Sequence, residues 1–172
     1  SVTIDSGATL IMEKGVTLKV NGNQSFNVNG GLYAQGDAVE KVVFTSFKDD
    51  NYGGDTNGDG VNTIPAAGDW GGINLDGAHA GTLLGWTVVA YGGSGSVPAI
   101  KVDNASFTGA FTECIVRDNA GRGVQVGTNG ELTFTNCDVY GNGYGVENLN
   151  TATTVDARGN WWGDPSGPGG VG

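Results

Sequence analysis

The sequence predicts an all-β solenoid, in which short parallel strands stack coil upon coil. A repeat supports this prediction, because residues 111–126 overlie residues 134–148 at a nearly constant shift. The matched pairs are Phe111 with Phe134, Cys114 with Cys137, Val116 with Val139, Asn119 with Asn142, and Val124 with Val146. Short runs of alternating apolar and polar residues, separated by many of the 33 glycines, also support it. A fixed period of this length is typical of folds whose units bury their apolar faces only against neighbouring units.

Composition limits the class of protein. The 172 residues fit one domain, and a hydrophobic content of 38% is enough for a core. Eight basic residues against 18 acidic ones give a net charge of −10. Because phosphate binding needs a basic face, this charge makes nucleic acid and anionic membranes poor partners, and we expect no nucleic acid to bind. No apolar run approaches the roughly 18 residues that cross a bilayer, so no membrane span is predicted.

Residues 1–47 are predicted to form the first coils of the domain. Their short alternating runs are half-buried strands, and turns such as Asn21-Gly22 separate them. One constant shift matches Leu10, Met12, Val16 and Leu18 with Phe26, Val28, Leu32 and Ala34. This shift is smaller than the one between Phe111 and Phe134, so we expect these early coils to be shorter than the later ones.

Residues 70–172 are predicted to form the C-terminal coils. Ile73, Ile100, Val124 and Val146 follow one another at intervals that shorten along the chain. A solenoid permits such variation, because insertions are confined to turns while the strands stay in register. No window shows helical periodicity, so no helix is predicted.

Two rows of identical side chains follow from the repeat. Cys114 and Cys137 are separated by one local repeat, so they occupy equivalent positions of neighbouring coils. Buried free thiols are favoured there, with a disulfide as the alternative, since in-register side chains usually stand slightly too far apart to be bridged. Asn119 and Asn142 each precede a glycine-containing turn, where asparagine tolerates a left-handed bend and bonds to the next coil.

Residues 48–69 form a long excursion with little strand character, which the repeat does not explain. Within it, the stretch Asp55-Thr56-Asn57-Gly58-Asp59-Gly60-Val61 matches the first seven positions of a D-x-[DN]-x-[DN]-G calcium loop. The spacing points alternate oxygens inward, and Gly60 permits the sharp turn that would bring the Val61 carbonyl round. A solvated acidic turn is the alternative interpretation.

The predicted calcium site lacks one expected ligand. Position twelve of the loop is Ala66, where a bidentate glutamate is the rule. We expect the missing carboxylate to come from Asp49, Asp50 or Asp69 at the two ends of the excursion. The predicted ligand set is therefore Asp55, Asn57, Asp59 and Val61, completed from those three residues, with Ca²⁺ as the cofactor.

Three segments resemble a known family. They are the alternating opening of residues 2–20, the Gly-Asp-Trp-Gly-Gly-Ile of residues 68–73, and the Asn-Trp-Trp-Gly-Asp-Pro-Ser-Gly-Pro of residues 160–168. They are similar to the right-handed parallel β-helix, the pectate-lyase-like superfold, in large bacterial and archaeal secreted or surface proteins. The resemblance implies a right-handed coil with three sheets and an extracellular location. Combined with the length of the chain and the motif in the excursion, the predicted fold is a single-domain right-handed parallel β-helix with one long calcium-binding loop.

Enzymatic activity and glycan binding are the alternatives to a structural role. Polysaccharide lyases of this fold bind acidic sugar through Ca²⁺ and use a basic side chain; the candidates here are Lys101, Arg117, Arg122 and Arg158. None adjoins the calcium loop in sequence, so no catalytic residue is assigned. A stacking platform for sugars would come from Trp70, Trp86, Tyr91, Tyr140, Tyr144, Trp161 and Trp162.

The sequence favours an extracellular, calcium-stabilised structural or adhesive module without catalytic activity. Open coil ends expose unpaired strand edges, which need a cap or a neighbour. We expect the module to adjoin neighbouring domains of a longer chain or to stack on copies of itself head to tail. A glycan is the other expected partner, and a lyase or glycosidase is the alternative function.

Overall fold

The computed structural model describes residues 1–79, 81–104 and 109–167, and its strands form three parallel sheets. Sheet A contains β1 (Val2–Ile4), β4 (Ser25–Val28), β7 (Gly72–Asn74), β10 (Ile100–Val102), β13 (Arg122–Val126) and β16 (Tyr144–Asn148). Sheet B contains β2 (Thr9–Glu13), β5 (Gly31–Gln35), β8 (Leu83–Gly85), β11 (Ala110–Thr112) and β14 (Thr133–Thr135). Sheet C contains β3 (Thr17–Val20), β6 (Val42–Ser46), β9 (Thr87–Ala90), β12 (Ile115–Arg117) and β15 (Asp138–Tyr140).

The chain visits the sheets in the order A, B, C and then starts the next coil. Each inward-facing side chain therefore stacks on the side chain at the equivalent position of the neighbouring coils. Phe111 pairs in register with Phe134, and their ring centroids lie 6.2 Å apart in an edge-to-face arrangement. Val116 pairs with Val139, and Val124 with Val146. The solenoid and its repeat are thus confirmed, and no helix long and apolar enough to cross a membrane occurs in the described ranges.

The prediction of shorter early coils is wrong. Val2 pairs with Phe26 and Met12 pairs with Ala34, so the first coils are about as long as the later ones. The smaller shift seen in the sequence instead superimposes β2 of sheet B on β4 of sheet A. Alternation has a period of two in every strand, so it cannot distinguish the next strand of a coil from the next coil. Residues 168–172 of the last predicted coil lie outside the described residues.

The cysteine row lies in the interior. Both side chains are buried free thiols, and the Cys114 amide donates to Cys137 Sγ at 3.3 Å. Burial raises the pKa of the Cys114 thiol. Asn160 occupies the next position of this row and accepts the Cys137 amide at 2.8 Å. The row is therefore a column of hydrogen-bonding side chains inside the coils.

The asparagine row stabilises the corner between sheets C and A. Asn119 accepts the Gly92 amide at 2.7 Å and donates to Asn142 Oδ1 at 2.8 Å. Asn142 in turn donates to the Val116 carbonyl at 2.9 Å. Each amide thus satisfies buried backbone and joins two coils, as the repeat predicts. The left-handed bend expected at these asparagines lies one residue earlier, at Asp118 and Gly141.

Most corners between sheets B and C contain one left-handed residue, although the corner between β5 and β6 does not. Trp86, Glu113 and Asn136 occupy this position with φ values of 48°, 56° and 55°. Glycine takes the equivalent place in the next coil at Gly159, with φ of 75°. Because one left-handed residue reverses the bend between two strands, the corner can be short and the sheets stay close.

Candidate metal site and aromatic surface

The excursion of residues 48–69 leaves β6 and returns to β7 through a fixed neck. Lys48 Nζ lies 2.8 Å from Asp69 Oδ1, and the Ser46 hydroxyl donates to Asp69 Oδ2 at 2.7 Å. Beyond the neck, Trp70 is fully buried and its indole N–H donates to the Ala90 carbonyl at 2.8 Å. The two ends of the excursion are therefore fixed to each other and to the coil stack.

The excursion lies on the outer face of sheet C. Val43, Val88 and Ala90 point outward from this sheet, yet they are buried in a small cluster of their own. Tyr52 of the excursion and Tyr91 pack against that cluster. The coil stack thus carries a second, external core beneath the excursion, which we call the outer cluster (Val43, Val88 and Ala90).

Three carboxylates of the excursion converge. One oxygen each of Asp50, Asp55 and Asp59 lies within 4.8 Å of the others. Oδ1 of Asp50 and Oδ1 of Asp59 are buried and have no hydrogen-bond partner. A buried carboxylate oxygen without a donor is costly, and carboxylates this close repel one another. The arrangement fits a hard divalent cation, for which these are the preferred ligands.

Asp55 organises the turn. Its Oδ1 accepts the Gly58 amide at 2.7 Å and the Asp59 amide at 3.2 Å, while its Oδ2 accepts the Gly60 amide at 2.9 Å. The bond from Gly60 is the main cause of a pKa below the ordinary value for Asp55. Gly60 has φ of 69°, which is the left-handed conformation expected of it. Asp55 therefore stays ionised and shapes the loop around the cluster.

Asn57 and Thr63 support Asp59. The Asn57 side-chain amide donates to Asp59 Oδ2 at 3.0 Å, and the Thr63 hydroxyl donates to the same oxygen. The side-chain nitrogen of Asn57 thus faces Asp59, while its Oδ1 accepts the Asp59 backbone amide at 3.4 Å. The Val61 side chain is 89% exposed. Thr63 is position nine of the loop that begins at Asp55, a position that often contributes a calcium ligand through water, so the loop spacing could have identified it.

Asp49 and Asp69 lie outside this cluster. The Asp49 side chain is buried, accepts the Thr45 hydroxyl at 2.6 Å and also accepts the Asn51 amide. Burial alone would raise the pKa of Asp69, but hydrogen bonds from Lys48, Ala66 and Ser46 bring it below the usual value. Of the three carboxylates expected to complete the ligand set, the structure places only Asp50 with Asp55 and Asp59.

The basic residues considered for catalysis do not gather at the cluster. Lys101 pairs with Asp76 on the outer side of sheet A, and Arg122 pairs with Glu147 on the same sheet. Arg117 pairs with Asp118 beside sheet C, and Arg158 pairs with Asp156. Lys19 lies beside the excursion, where its ammonium donates to the Gly54 carbonyl. Arg117 also reaches the excursion, through the side chain of Tyr52. Each of these cations therefore has a local partner.

The aromatic residues divide into packed and exposed groups. Trp70 is buried, Trp162 packs against the core, and Lys41 lies over Trp86. The exposed fractions of Tyr140, Tyr144 and Trp161 are 37%, 57% and 44%. Tyr144 lies on sheet A, whereas Tyr140 and Trp161 are neighbours on sheet C.

Comparison with known families agrees with this geometry. A family model described as "Right handed beta helix region" matches residues 6–161. The chain belongs to this right-handed β-helix family. No curated protein and no solved structure matches the chain. The family includes both enzymes and proteins without catalytic activity, so membership establishes the β-helix architecture and leaves function to the site.

Proposed function

We propose that this β-helix is an extracellular structural or adhesive module, and that Ca²⁺ bound by its excursion stabilises it. The supporting observation is the convergence of Asp50, Asp55 and Asp59, with two buried carboxylate oxygens that lack a donor. Neutralising this charge would remove the repulsion and supply the missing partner for both oxygens. Asn57 and the Val61 carbonyl are the further oxygen donors in this proposal.

The expected role of the cation is to hold the excursion on sheet C. The neck and the outer cluster already fix both ends and the underside, whereas the turn at residues 55–60 is exposed apart from Asn57 and Asp59. A cation bound there would connect Asp50, near the neck, with Asp55 and Asp59 at the tip. The excursion would then become a rigid part of the module surface.

A non-catalytic role agrees with the pairing of the basic residues. A lyase needs a free base beside the metal and the substrate, and Lys101, Arg117, Arg122 and Arg158 are each paired with an acidic residue. Of these four, Arg117 approaches the excursion, at Tyr52, and it is engaged there by Asp118 and Tyr91. The side chain of Lys19 is bound to backbone. The acidic cluster is therefore proposed to be structural.

Thermal unfolding with and without calcium tests the proposal. A ligand at 100 times its Kd stabilises by about 2.7 kcal/mol, which corresponds to a Tm increase of roughly 5–10 °C for a domain of this size. We expect EDTA to lower Tm by that amount and Asp50→Asn to abolish the response. Asp5→Asn removes one exposed carboxylate elsewhere and should keep the response. Identical melting curves in calcium and in EDTA would contradict a calcium site.

We also propose that the module associates end to end, with copies of itself or with neighbouring domains. β1 and β16 are the outermost strands of sheet A, so each has one edge without a partner in the described structure. Such edges favour pairing with a further strand. Sedimentation velocity over a range of protein concentration should show a growing sedimentation coefficient, and a concentration-independent monomer would contradict association between copies.

A further inference from the structure

We infer that Asp138, Tyr140 and Trp161 form a binding site for an uncharged oligosaccharide on the outer face of sheet C. This inference is independent of the cation and goes beyond the proposed structural role. The three residues are called the sugar platform below.

The platform follows from strand register. Asp138 and Tyr140 point outward from β15, because Val139 between them is buried in the core. Trp161 forms a parallel bridge with Asp138 and also points outward, while Trp162 packs inward. Trp161 thus lies beside β15 in register with Asp138, two residues before Tyr140, so the Cα atoms of Trp161 and Tyr140 are about 8 Å apart. Two neighbouring sugar units can span this separation.

Space over Tyr140 is maintained by a glycine. Gly163 lies beside Tyr140 on the neighbouring segment, and a Cβ atom there would stand 2.8 Å from the Tyr140 Cβ. Any other residue at position 163 would displace Tyr140, and its side chain would compete for the same surface. The glycine therefore leaves the tyrosine ring accessible beside Trp161.

The polar groups of the platform suit a sugar. Among the described residues, none donates to or accepts from the Tyr140 hydroxyl, the Trp161 indole N–H or the Asp138 carboxylate. Flat apolar rings with polar edges complement the C–H faces and hydroxyls of a pyranose. Asp138, in register with Trp161 and two residues before Tyr140, can accept hydroxyl hydrogen bonds.

The charges around the sugar platform favour an uncharged ligand over an acidic one. Arg117, the nearest cation on sheet C, is paired with Asp118 and donates to the Tyr91 hydroxyl at 3.2 Å. Its side chain is only 16% exposed. Asp138 therefore contributes an uncompensated negative charge in a chain whose net charge is −10. An acidic polysaccharide would be repelled, whereas a neutral one would not.

Size favours a small ligand over a protein. An aromatic side chain buries about 150–250 Å², so two rings fall short of the ~800 Å² per partner of a standard protein interface. The neighbouring outer cluster cannot extend the patch, because the excursion already covers it. A flat sugar chain needs only the two rings and their polar edges.

Calorimetric titration tests this assignment. The probes are cellohexaose, chitohexaose, mannohexaose and maltohexaose as neutral sugars, and hexagalacturonate as the acidic one, each with calcium and with EDTA. We expect saturable binding of at least one neutral sugar at millimolar concentration, no hexagalacturonate binding, and little effect of EDTA. Trp161→Ala and Tyr140→Ala should each weaken binding about tenfold or more.

Tyr33→Ala is the matched control, because Tyr33 is 41% exposed on sheet B. Its affinity should stay within about twofold of the parent protein. Circular dichroism confirms that each variant folds, and Tyr140→Ser replaces Tyr140→Ala if that variant does not.

Three results would overturn the assignment: no neutral sugar binds; hexagalacturonate binds more tightly than the neutral sugars; or Tyr33→Ala weakens binding as much as Tyr140→Ala. Loss of self-association in Trp161→Ala, without any sugar binding in the parent protein, would instead make the platform a contact between copies. Loss of the calcium response alone would leave this assignment intact, so the two proposals fail separately.

Discussion

The coil stack and the excursion of residues 48–69 are ordered in different ways. Each inward side chain of the stack meets an equivalent one in the next coil, as Phe111 meets Phe134 and Asn119 meets Asn142. Within the described residues, the excursion has no equivalent in another coil. It is held by the contacts of its neck, by the outer cluster beneath it and by the carboxylates of its turn. The stack is therefore stabilised by many equivalent contacts along its length, whereas the conformation of the excursion depends on a few contacts. Substitutions should therefore act globally in the stack and locally in the excursion.

The largest effect should come from Phe111→Ala. Phe111 is fully buried and contacts Phe134 in the interior row. Truncating a buried phenylalanine costs about 3–5 kcal/mol through lost burial and the cavity left behind. Ile64→Ala in the excursion, where the side chain is 77% exposed, should change stability by less than about 0.5 kcal/mol. Urea denaturation followed by circular dichroism measures both, and equal losses would refute the contrast.

Asn119→Ala should have the next largest effect. Asn119 is 2% exposed, and its removal leaves the Gly92 amide and the Val89 carbonyl without their partner. An unsatisfied buried group costs about 1–3 kcal/mol, and we expect a loss of about 3 kcal/mol. Asn142→Ala, in a less buried copy of the same position, should cost less. Urea denaturation measures both losses. If Asn142→Ala lowers the free energy of unfolding more than Asn119→Ala does, burial does not determine how much each asparagine contributes.

Asp69→Ala should loosen the excursion and leave the stack intact. It removes the ion pair with Lys48 and the hydrogen bond from Ser46, at a cost of about 1–2 kcal/mol. Limited proteolysis with the acidic-site protease Glu-C should then cut within residues 50–59 faster than in the parent protein. Asp156→Ala, which removes an exposed pair with Arg158, should leave the cutting rate unchanged. Unchanged cutting in Asp69→Ala would show that the neck does not restrain the excursion.

The smallest change in Tm is expected for Asp37→Asn, in a turn of the coil stack, and it should depend on pH. Hydrogen bonding from the Glu40 amide, with help from Lys14 and the Val39 amide, lowers the pKa of Asp37 to about 2. A lowered pKa in the folded state means that ionised Asp37 stabilises the fold above pH ~4, and that this contribution disappears as pH falls towards 2. Asp37→Asn should therefore lower Tm slightly at pH 7 and by much less at pH 2, where Asp37 is about half protonated. A Tm difference at pH 2 as large as the one at pH 7 would exclude ionisation as the cause.

The sequence predicted the stack well because repetition is visible in it. The pairs Phe111/Phe134, Cys114/Cys137 and Asn119/Asn142 repeat both residue type and spacing, and the structure confirms their register. The early coils were misjudged because Leu10, Met12, Phe26 and Val28 share only an alternating pattern. Alternation identifies strands, and residue identity is needed to identify coils.

The excursion was less predictable, since nothing in it repeats. The motif located Asp55, Asn57 and Asp59, whose local hydrogen bonds follow from sequence spacing. It did not distinguish Asp50 from its neighbour Asp49, because that difference depends on which side chain faces Thr45 in the folded protein. The outer cluster was also missed, since outward apolar residues such as Val88 are recognisable only when the covering segment is known.

Because the excursion covers the outer cluster, the two cannot be separated in a redesign of the protein. Joining residue 47 directly to residue 70 would preserve the strand register but leave Val43, Val88 and Ala90 facing water. Conversely, grafting the excursion onto another β-helix would require an apolar patch of the same shape to receive Tyr52. A transplant therefore has to move both partners together, in the way that a bound ligand must be moved with its pocket.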